Sequence, residues 1–332
     1  MKKNILLLYG GEEEASISCI SSKFIYESIK ESQNLEIIPV IINSQFELFL
    51  NEEFQLKFTE GKKVELNNRS LFIGSKRIPI HYCIPCIHGA PGENGQIQEI
   101  LNFYGIKYLG NTPEISKNCF NKITTKLWAE KLGIPTTPFE IITENSTSNH
   151  LNDLFTKLGE NVFIKTSSQG SSIGCYPAKT MAQYKDAVKN ALKYGSFVLI
   201  EKTIQAREIE IAAFQFEGKL VVSNPGEVLN GQHFYSYEDK YSTRSSTKTT
   251  TQPKLDKLHI TRLKSYAEKL FKNMCLKDLA RIDFFMEENS GEIYLNEINT
   301  FPGMTPISLF PKLLAAEKIT MKNYLLNRIE QN

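Results

Sequence analysis

Short apolar runs alternate with an amphipathic stretch along the first ninety residues. Residues 5–9, 35–42 and 80–87 have the composition of buried strands, and residues 16–30 have the pattern of a helix. Such alternation is typical of parallel strands covered by helices. The segment lacks GxGxxG, so dinucleotide binding is not indicated. The pattern therefore predicts an α/β domain with a Rossmann-like parallel sheet at the N-terminus.

The pattern changes after this first domain. One helix is expected to start at Thr112, with Pro113 in its first position, and a second covers residues 122–132 and stops at Gly133. The strands that follow are antiparallel in character, so the C-terminal part is expected to be α+β. These strands are residues 162–166, 197–202, 208–216 and 220–223. An amphipathic helix (255–274), two strands and one closing helix from Thr305 onward complete the prediction.

Domain boundaries are placed near residues 115 and 205, which gives units 1–115, 116–205 and 206–332. Residues 231–251 carry Ser, Thr, Tyr and Lys with almost no aliphatic side chains. This segment is either a disordered surface loop or a lid over a site. Its tyrosines favour the lid, because they would expose large apolar areas unless the loop docks somewhere.

Charge and composition limit the kinds of molecule that the protein is expected to bind. The formal net charge is +2, which gives no reason to expect nucleic acid or a membrane surface as a partner. No apolar run approaches the roughly 20 residues that span a bilayer. Six scattered cysteines without an export signal indicate reduced thiols in a cytoplasmic protein. The partner is expected to be a small molecule.

A β-hairpin is predicted where residues 281–286 and 292–299 have strand character on either side of a turn-rich centre. We place the middle of its turn at Ser290. The facing pairs are then Asp283 with Glu297 and Arg281 with Asn299. The two-residue period of a strand puts these four side chains on one face, and Asn296 and Ile298 on the other, as structural residues.

Two facing carboxylates repel each other unless a cation lies between them. Asp283, Glu297 and the Asn299 carbonyl supply the oxygen ligands that Mg²⁺ prefers, beside nucleotide phosphates. The alternative is a solvated polar face with a structural Arg–carboxylate pair. The turn at residues 299–306 leads into a helix, so its backbone N–H groups can receive an oxyanion, with Arg281 as a second donor.

Two further segments fit a nucleotide. Lys165 ends a strand before the Gly/Ser segment 166–174, an arrangement that grips phosphate, although a flexible hairpin loop is the alternative. A strand ending at Glu201 and Lys202 runs toward Glu208 and can bind adenine and ribose, or be an exposed strand end. Near the N-terminus, Gly10-Gly11 with three glutamates and His88 with a glycine-rich turn each follow a strand, where α/β folds bind ligands.

Together these segments resemble the D-alanine–D-alanine ligases, which are ATP-grasp enzymes, almost from end to end. The residues that carry the resemblance are Gly10-Gly11 with the following glutamates, His88-Gly-x-x-Gly-Glu-Asn-Gly95, Asn121-Lys122-x-x-Thr-Lys126-Leu-Trp128, Lys165 through Gly174, Glu201-Lys202, the Tyr-Glu-Asp-Lys-Tyr run ending at Tyr241, Arg281-Ile-Asp283, and Glu297-Ile-Asn299-Thr-x-Pro-Gly303-Met-Thr. The resemblance implies an ATP-grasp fold, with unit 1–115 as the N-terminal substrate domain. It also implies ligation of two D-alanines through an acyl phosphate for peptidoglycan precursors, and a homodimer.

The resemblance also implies a role for each site residue. The ATP-binding residues are Lys122 and Lys165 for the phosphates, and Glu201, Lys202 and Glu208 around adenine and ribose. Two Mg²⁺ ions, with Mn²⁺ as an alternative, are held by Asp283, Glu297 and Asn299. The first D-alanine is bound by Glu14 with Ser171 and Tyr241, and by His88. The oxyanion is bound by Arg281 and the Gly303 amide, and the second carboxylate by Lys240 and Ser308.

The chain departs from the family pattern at the N-terminal glutamate. Relatives usually have His or Arg after it, whereas Ala15 stands here and the segment is one residue shorter. Glu14 is therefore preferred as the substrate glutamate, with Glu13 as the alternative. Two rival functions remain at this stage: an ATP-grasp ligase for other amino or hydroxy acids, and an ATP-binding regulatory module without turnover.

Overall fold

The structure is a computed structural model that describes residues 2–12, 14–56, 61–170, 173–229 and 248–331. Its N-terminal sheet has the strand order β6-β5-β4-β3-β2-β1-β7. The strands are β1 (Lys3–Gly10), β2 (Leu35–Ile42), β3 (Leu48–Leu50), β4 (Lys63–Asn67), β5 (Ser70–Ile73), β6 (Lys76–Pro79) and β7 (Tyr82–Cys86).

Among the described strands of this sheet, the apolar strands β1, β2 and β7 are parallel, because β1 pairs in parallel with both β2 and β7. The other neighbours pair antiparallel. The prediction of a parallel sheet is thus right for the buried centre and wrong for the remainder. Strands β4, β5 and β6 are short and joined by two-residue turns, which allow antiparallel pairing without a crossover helix.

The helices of the N-terminal part are α1 (Ala15–Ile29) and α2 (Gln96–Phe103). A glycine pair joins β1 to α1, and Gly10 has a positive φ of 106°. A Cβ atom at Gly10 would lie 2.3 Å from the Ile42 carbonyl oxygen. The sharp turn at the carboxyl end of β1 therefore requires glycine.

A second sheet has the order β10-β9-β11-β8, and each of its neighbours pairs antiparallel. Its strands are β8 (Phe139–Thr143), β9 (Val162–Thr166), β10 (Cys175–Ala178) and β11 (Phe197–Lys202). Helices α5 (Ser148–Lys157) and α6 (Met181–Ala191) share an apolar core with it. Before it come α3 (Pro113–Phe120), whose N-cap is Thr112 as predicted, and α4 (Lys122–Lys131).

The third sheet surrounds the long central strand β12 (Ala206–Phe216). Its other strands are β13 (Lys219–Val222), β14 (Gly226–Leu229), β15 (Lys248–Thr250), β16 (Leu279–Glu287) and β17 (Ile293–Asn299). Helix α7 (Lys257–Asn273) packs against β12, β13 and β16. Residues 231–247 of the predicted lid lie outside the described residues, and residues 248–250 form β15.

The predicted single closing helix is two helices, α8 (Leu309–Ala316) and α9 (Met321–Gln331). The chain turns between them at Lys318, which has a positive φ of 63°. Both helices contribute to an apolar core that also contains β1, β7 and β12. No described helix is long and apolar enough to cross a membrane. The domain boundaries near residues 115 and 205 stay a prediction.

Candidate active site

A cavity of about 620 Å³ lies beside the β16–β17 hairpin, the loops after β1 and β7, and the start of α8. Predicted site residues that line it are Glu14, His88, Lys122, Glu208, Arg281, Asp283, Glu297, Asn299, Gly303 and Ser308. Lys165, Glu201 and Lys202 are not part of its lining. Ser171, Lys240, Tyr241 and the alternative Glu13 lie outside the described residues. Residues far apart in the chain thus come together at one site.

The hairpin has the predicted register, with Arg281 opposite Asn299 and Asp283 opposite Glu297. Arg281 donates two hydrogen bonds to Asp283, at 2.8 Å from Nε and 2.7 Å from NH2. Burial by itself would lower the pKa of Arg281, but Asp283 and Glu210 outweigh it and hold the pKa well above its usual value. The hairpin face therefore presents a permanent cation among carboxylates.

A β-bulge interrupts this hairpin between Asp283 and Phe284. Phe284 pairs with Leu295, so Asn296 is the additional residue on β17. Asn296 lines the cavity and accepts a hydrogen bond from Lys165 Nζ at 3.3 Å. The prediction that Asn296 points away is wrong, because strict two-residue alternation ends at the bulge. Ile298 lies in the apolar core, as predicted.

Glu201 lies between two lysines in a buried cluster. Its Oε1 is 2.8 Å from Lys126 Nζ, and its Oε2 is 2.8 Å from Lys165 Nζ. Burial would raise the pKa of Glu201, but the two ammonium groups outweigh it and lower the pKa to about 2. Both carboxylate oxygens are thus paired with lysines, and the contact of this side chain with adenine or ribose stays a prediction. Glu208 lies on the cavity instead.

Lys126 was assigned no role by sequence reasoning, although it is almost completely buried. Its ammonium also donates to Thr137 Oγ1 at 2.9 Å. Burial lowers the pKa of Lys126, and the neighbouring Lys165 lowers it further. Its spacing could have indicated a place near the site, because Lys126 follows Lys122 by four residues and residues four apart share a helix face.

Lys122 connects the start of α4 to the Gly/Ser segment. Its Nζ donates to the Gln169 carbonyl oxygen at 2.6 Å and lies 3.7 Å from Glu297 Oε2. Its backbone N–H donates to the Ser167 carbonyl at 2.8 Å. These contacts bring the predicted phosphate segment next to the acidic hairpin.

Glu14 immediately precedes α1, is buried and lines the cavity. A Cβ atom added at Gly170 would lie 3.2 Å from its Oε1 atom, so the glutamate approaches the Gly/Ser segment closely. The lack of a side chain at Gly170 leaves room for the carboxylate.

His88 is 3% exposed at the edge of the cavity. Its Nε2 lies 2.9 Å from Ser21 Oγ, and its Nδ1 lies 3.3 Å from the Phe301 carbonyl oxygen. Burial would lower the pKa of His88, but hydrogen bonds with Cys86 and Glu93 outweigh it and raise the pKa to about 10. Sequence reasoning did not name Ser21 as its partner.

The turn after β17 is held at its C-terminal end by Ser308. The Ser308 Oγ lies 2.7 Å from Thr305 Oγ1 and accepts from the Thr305 N–H at 3.2 Å. A Cβ atom at Gly303 would lie 2.9 Å from the same Oγ, so a larger residue there would require Ser308 to shift. Both residues line the cavity next to Arg281.

The oxygen atoms of the hairpin fit Mg²⁺. Asn299 donates through Nδ2 to Asp283 Oδ2 at 2.9 Å, which leaves its amide oxygen as an acceptor. The described residues contain no group of three or more His, Cys, Asp or Glu arranged for a metal. Mg²⁺ does not require one, because it binds through one or two carboxylates together with waters and substrate phosphates. Asp283, Glu297 and Asn299 match that chemistry.

Comparison with known families identifies both halves of the chain. The model described as D-ala D-ala ligase N-terminus matches residues 4–111, and the one described as D-ala D-ala ligase C-terminus matches residues 127–330. The chain belongs to the D-alanine–D-alanine ligase family. The resemblance seen in its motifs is thereby confirmed.

Members of this family are similar to the chain over nearly its whole length. The D-alanine–D-alanine ligase of Vibrio campbellii is 43% identical over 319 residues, with 95% of this chain and 94% of that protein covered. The one from Tolumonas auensis is 41% identical over 326 residues, covering 97% of this chain and 96% of that protein.

Solved structures confirm the predicted ATP-grasp fold of this family. D-alanyl-alanine synthetase A from Vibrio cholerae superposes with a TM-score of 0.91 at 39% identity, covering 99% of this chain and 98% of that one. VanG D-Ala:D-Ser ligase from Enterococcus faecalis has a TM-score of 0.88 at 23% identity, with 99% of both chains covered. The second likeness concerns the fold alone.

Proposed function

We infer that this chain joins two D-alanine molecules into D-alanyl-D-alanine with ATP, through an acyl phosphate, for peptidoglycan precursors. The observation that carries the inference is the face of Arg281, Asp283, Glu297 and Asn299 next to the Gly303 turn, in one cavity with Glu14. The family shown above is a family of ATP-dependent ligases with D-alanine as substrate. Basic, acidic and backbone groups around one cavity suit a reaction that passes through a phosphate and an oxyanion.

In the first step, a carboxylate oxygen of the first D-alanine attacks the γ-phosphorus of ATP, and ADP leaves. Lys122 and Lys165 are proposed to hold the phosphates, and Glu208 to bind the ribose with Glu201 and Lys202 nearby. Lys122 lies beside the Gly/Ser segment, and Lys165 reaches the hairpin through Asn296. Positioning and charge stabilisation account for most of the catalysis of phosphoryl transfer.

Asp283, Glu297 and Asn299 are proposed to hold two Mg²⁺ ions, with Mn²⁺ as the alternative. When bound there, the metal neutralises charge that develops on the phosphate oxygens during transfer. Arg281 holds the Asp283 carboxylate in place through its two hydrogen bonds.

In the second step, the amine of the second D-alanine attacks the acyl carbon, the bond to the phosphate oxygen breaks, and the amine loses a proton. Arg281 and the Gly303 amide are proposed to bind the oxyanion of the tetrahedral intermediate. Glu14, with Ser171 and Tyr241, is proposed to hold the first ammonium group, and His88 lies beside them. Lys240 and Ser308 are proposed to bind the second carboxylate.

A rival ligase would differ in its second substrate, which accepts the acyl group. The fold is compatible with D-serine as well, because the fold relative VanG is named a D-Ala:D-Ser ligase. Lys240-Tyr241 favours an amine acceptor over a hydroxy acid. Product analysis with D-alanine, D-serine or D-lactate as second substrate tests the choice, and D-alanyl-D-alanine is expected as the main product. A preference for D-serine or D-lactate would support the rival ligase.

We further propose that the protein is a cytoplasmic homodimer with domains 1–115, 116–205 and 206–332. Exposed apolar side chains on α2, Ile100 and Phe103, support self-association. Light scattering on the eluting protein is expected to give twice the chain mass of 37.8 kDa. A mass of one chain at micromolar concentration would contradict the dimer.

A further inference from the structure

The turn that carries Gly303 is held on both sides by hydrogen bonds to one pair of side chains. The carbonyl of Phe301, two residues before Gly303, lies 3.3 Å from His88 Nδ1. The N–H of Met304, the next residue, donates to Ser21 Oγ at 3.3 Å. Ser21 Oγ and His88 Nε2 are 2.9 Å apart, which closes the chain of contacts. Gly303 is therefore bracketed by a Ser21–His88 bridge.

The hydrogen-bond partners of His88 limit which of its ring nitrogens can carry a proton. A carbonyl oxygen only accepts, so the proton of the neutral ring must be on Nδ1, and both nitrogens carry protons in the cation. In either state both ring nitrogens contact protein atoms. His88 is therefore better suited to hold the turn than to bind the substrate directly.

Ser21 cannot act on the substrate directly. It is fully buried on α1 and is not among the residues that line the cavity. Among the described residues, its hydroxyl contacts His88 and the Met304 N–H, and through them it can influence the cavity. A hydroxyl with these two contacts fixes the turn relative to α1.

We propose that Ser21 and His88 are positioning residues that fix the turn of Gly303 and thereby the backbone donor for the oxyanion. The proposal rests on the proposed ligase function. A donor to an oxyanion must be within a few tenths of an ångström of its place, because catalytic stabilisation falls steeply with misplacement. Loss of the bridge should thus slow the chemical steps without weakening ATP binding.

The chain offers a matched pair of variants. Ser22 is the next residue of α1, is also fully buried, and its hydroxyl has no hydrogen-bond partner among the described residues. Ser21→Ala is expected to lower kcat for dipeptide formation about tenfold and to leave the KM for ATP within twofold, since it removes both hydroxyl contacts of the bridge, each of about 1 kcal/mol. Ser22→Ala is expected to keep the wild-type kcat. Ser21→Cys, which keeps the side-chain size, is a second variant with an expected loss in the same direction.

A double variant separates the bridge from two independent effects. Because the two residues act as one unit, the kcat of the double variant Ser21→Ala with His88→Gln should be only slightly lower than the kcat of the more impaired single variant. An unchanged kcat in Ser21→Ala, an equal loss in Ser22→Ala, or fully additive losses would overturn the proposal. Failure of the wild-type protein to form dipeptide would instead overturn the proposed function, so the two failures are distinguishable.

Discussion

Neighbouring groups stabilise the charge and fix the orientation of individual charged side chains in the cavity. Arg281 is a partly buried cation between Asp283 and Glu210, whose Oε2 lies 3.0 Å from Arg281 Nε. A guanidinium that is withdrawn from water in this way needs such partners. Its fixed position next to the Gly303 turn is what the proposed oxyanion role requires.

Removal of this cation should affect the rate far more than substrate binding. Arg281→Ala is expected to lower kcat about 10²–10³-fold, the usual effect of losing one oxyanion donor. Steady-state measurement of ADP release checks this, with Arg262→Ala as the control. Arg262 is half-buried, lies outside the cavity and is 4.0 Å from Glu292, so its loss should be nearly neutral. Near-normal turnover by Arg281→Ala would refute the assignment.

Glu201 leads to a prediction about pH. Its pKa is lowered from 4.5 to about 2, so the folded state gains stability from the carboxylate above pH 4.5 and loses it as the pH falls toward 2. The difference in unfolding free energy between wild type and Glu201→Gln should be largest above pH 4.5 and narrow below it. Denaturant unfolding at several pH values measures this. A difference that stays constant over this pH range would contradict it.

Among the elements, the β16–β17 hairpin shows which features local patterns can and cannot predict. The alternation of polar residues predicts the pairs Arg281–Asn299 and Asp283–Glu297, because both lie on the same side of the bulge. The bulge itself has no signature in a two-residue pattern. Asn296 was therefore assigned to the wrong face.

The bulge residue can be tested through ATP binding. Asn296→Ala removes an acceptor of Lys165 Nζ, so the ammonium keeps its ion pair with Glu201 but loses this hydrogen bond. Hydrogen bonds to charged groups contribute about 1.5–3 kcal/mol, so the KM for ATP should rise about tenfold or more. The KM for D-alanine and the exposed control Asn289→Ala should remain unchanged. An unaltered KM for ATP in Asn296→Ala would show that the contact is dispensable.

For the whole molecule, the sequence predicted the fold family and most long elements but few contacts between distant segments. Motifs are local runs of residues, so Lys122, Lys165 and the hairpin could be recognised individually. The Lys126–Glu201–Lys165 cluster joins three elements and depends on the packed fold. Likewise, the short strands β3–β6 have too few residues for a clear period.

One such distant contact closes the fold. Arg328 on α9 forms a buried ion pair with Asp278 immediately before β16. The same aspartate accepts from the Gly110 N–H at 2.8 Å, and its carbonyl accepts from the Tyr324 hydroxyl at 3.1 Å. The C-terminal helix, the third sheet and the end of the N-terminal part are thus joined at one residue.

Arg328→Met should leave the Asp278 charge buried without its cation. Removing one member of a buried pair costs about 3–5 kcal/mol, so the free energy of unfolding in denaturant should fall by that amount. Lys322→Met on the exposed face of the same helix serves as the control and should be nearly neutral. A loss below about 1 kcal/mol for Arg328→Met would mean that the ion pair contributes little to the fold.

The central claim is that this chain activates the carboxylate of one D-alanine with ATP and transfers the acyl group to a second D-alanine. The most direct test supplies the protein with ATP, Mg²⁺ and D-alanine labelled with ¹⁸O in its carboxylate, and analyses phosphate, ADP and dipeptide by mass spectrometry. Attack of the carboxylate on the γ-phosphate leaves one ¹⁸O atom in each phosphate released, with one ADP and one D-alanyl-D-alanine. Absence of D-alanine-dependent ADP release, or phosphate without ¹⁸O, would contradict the account.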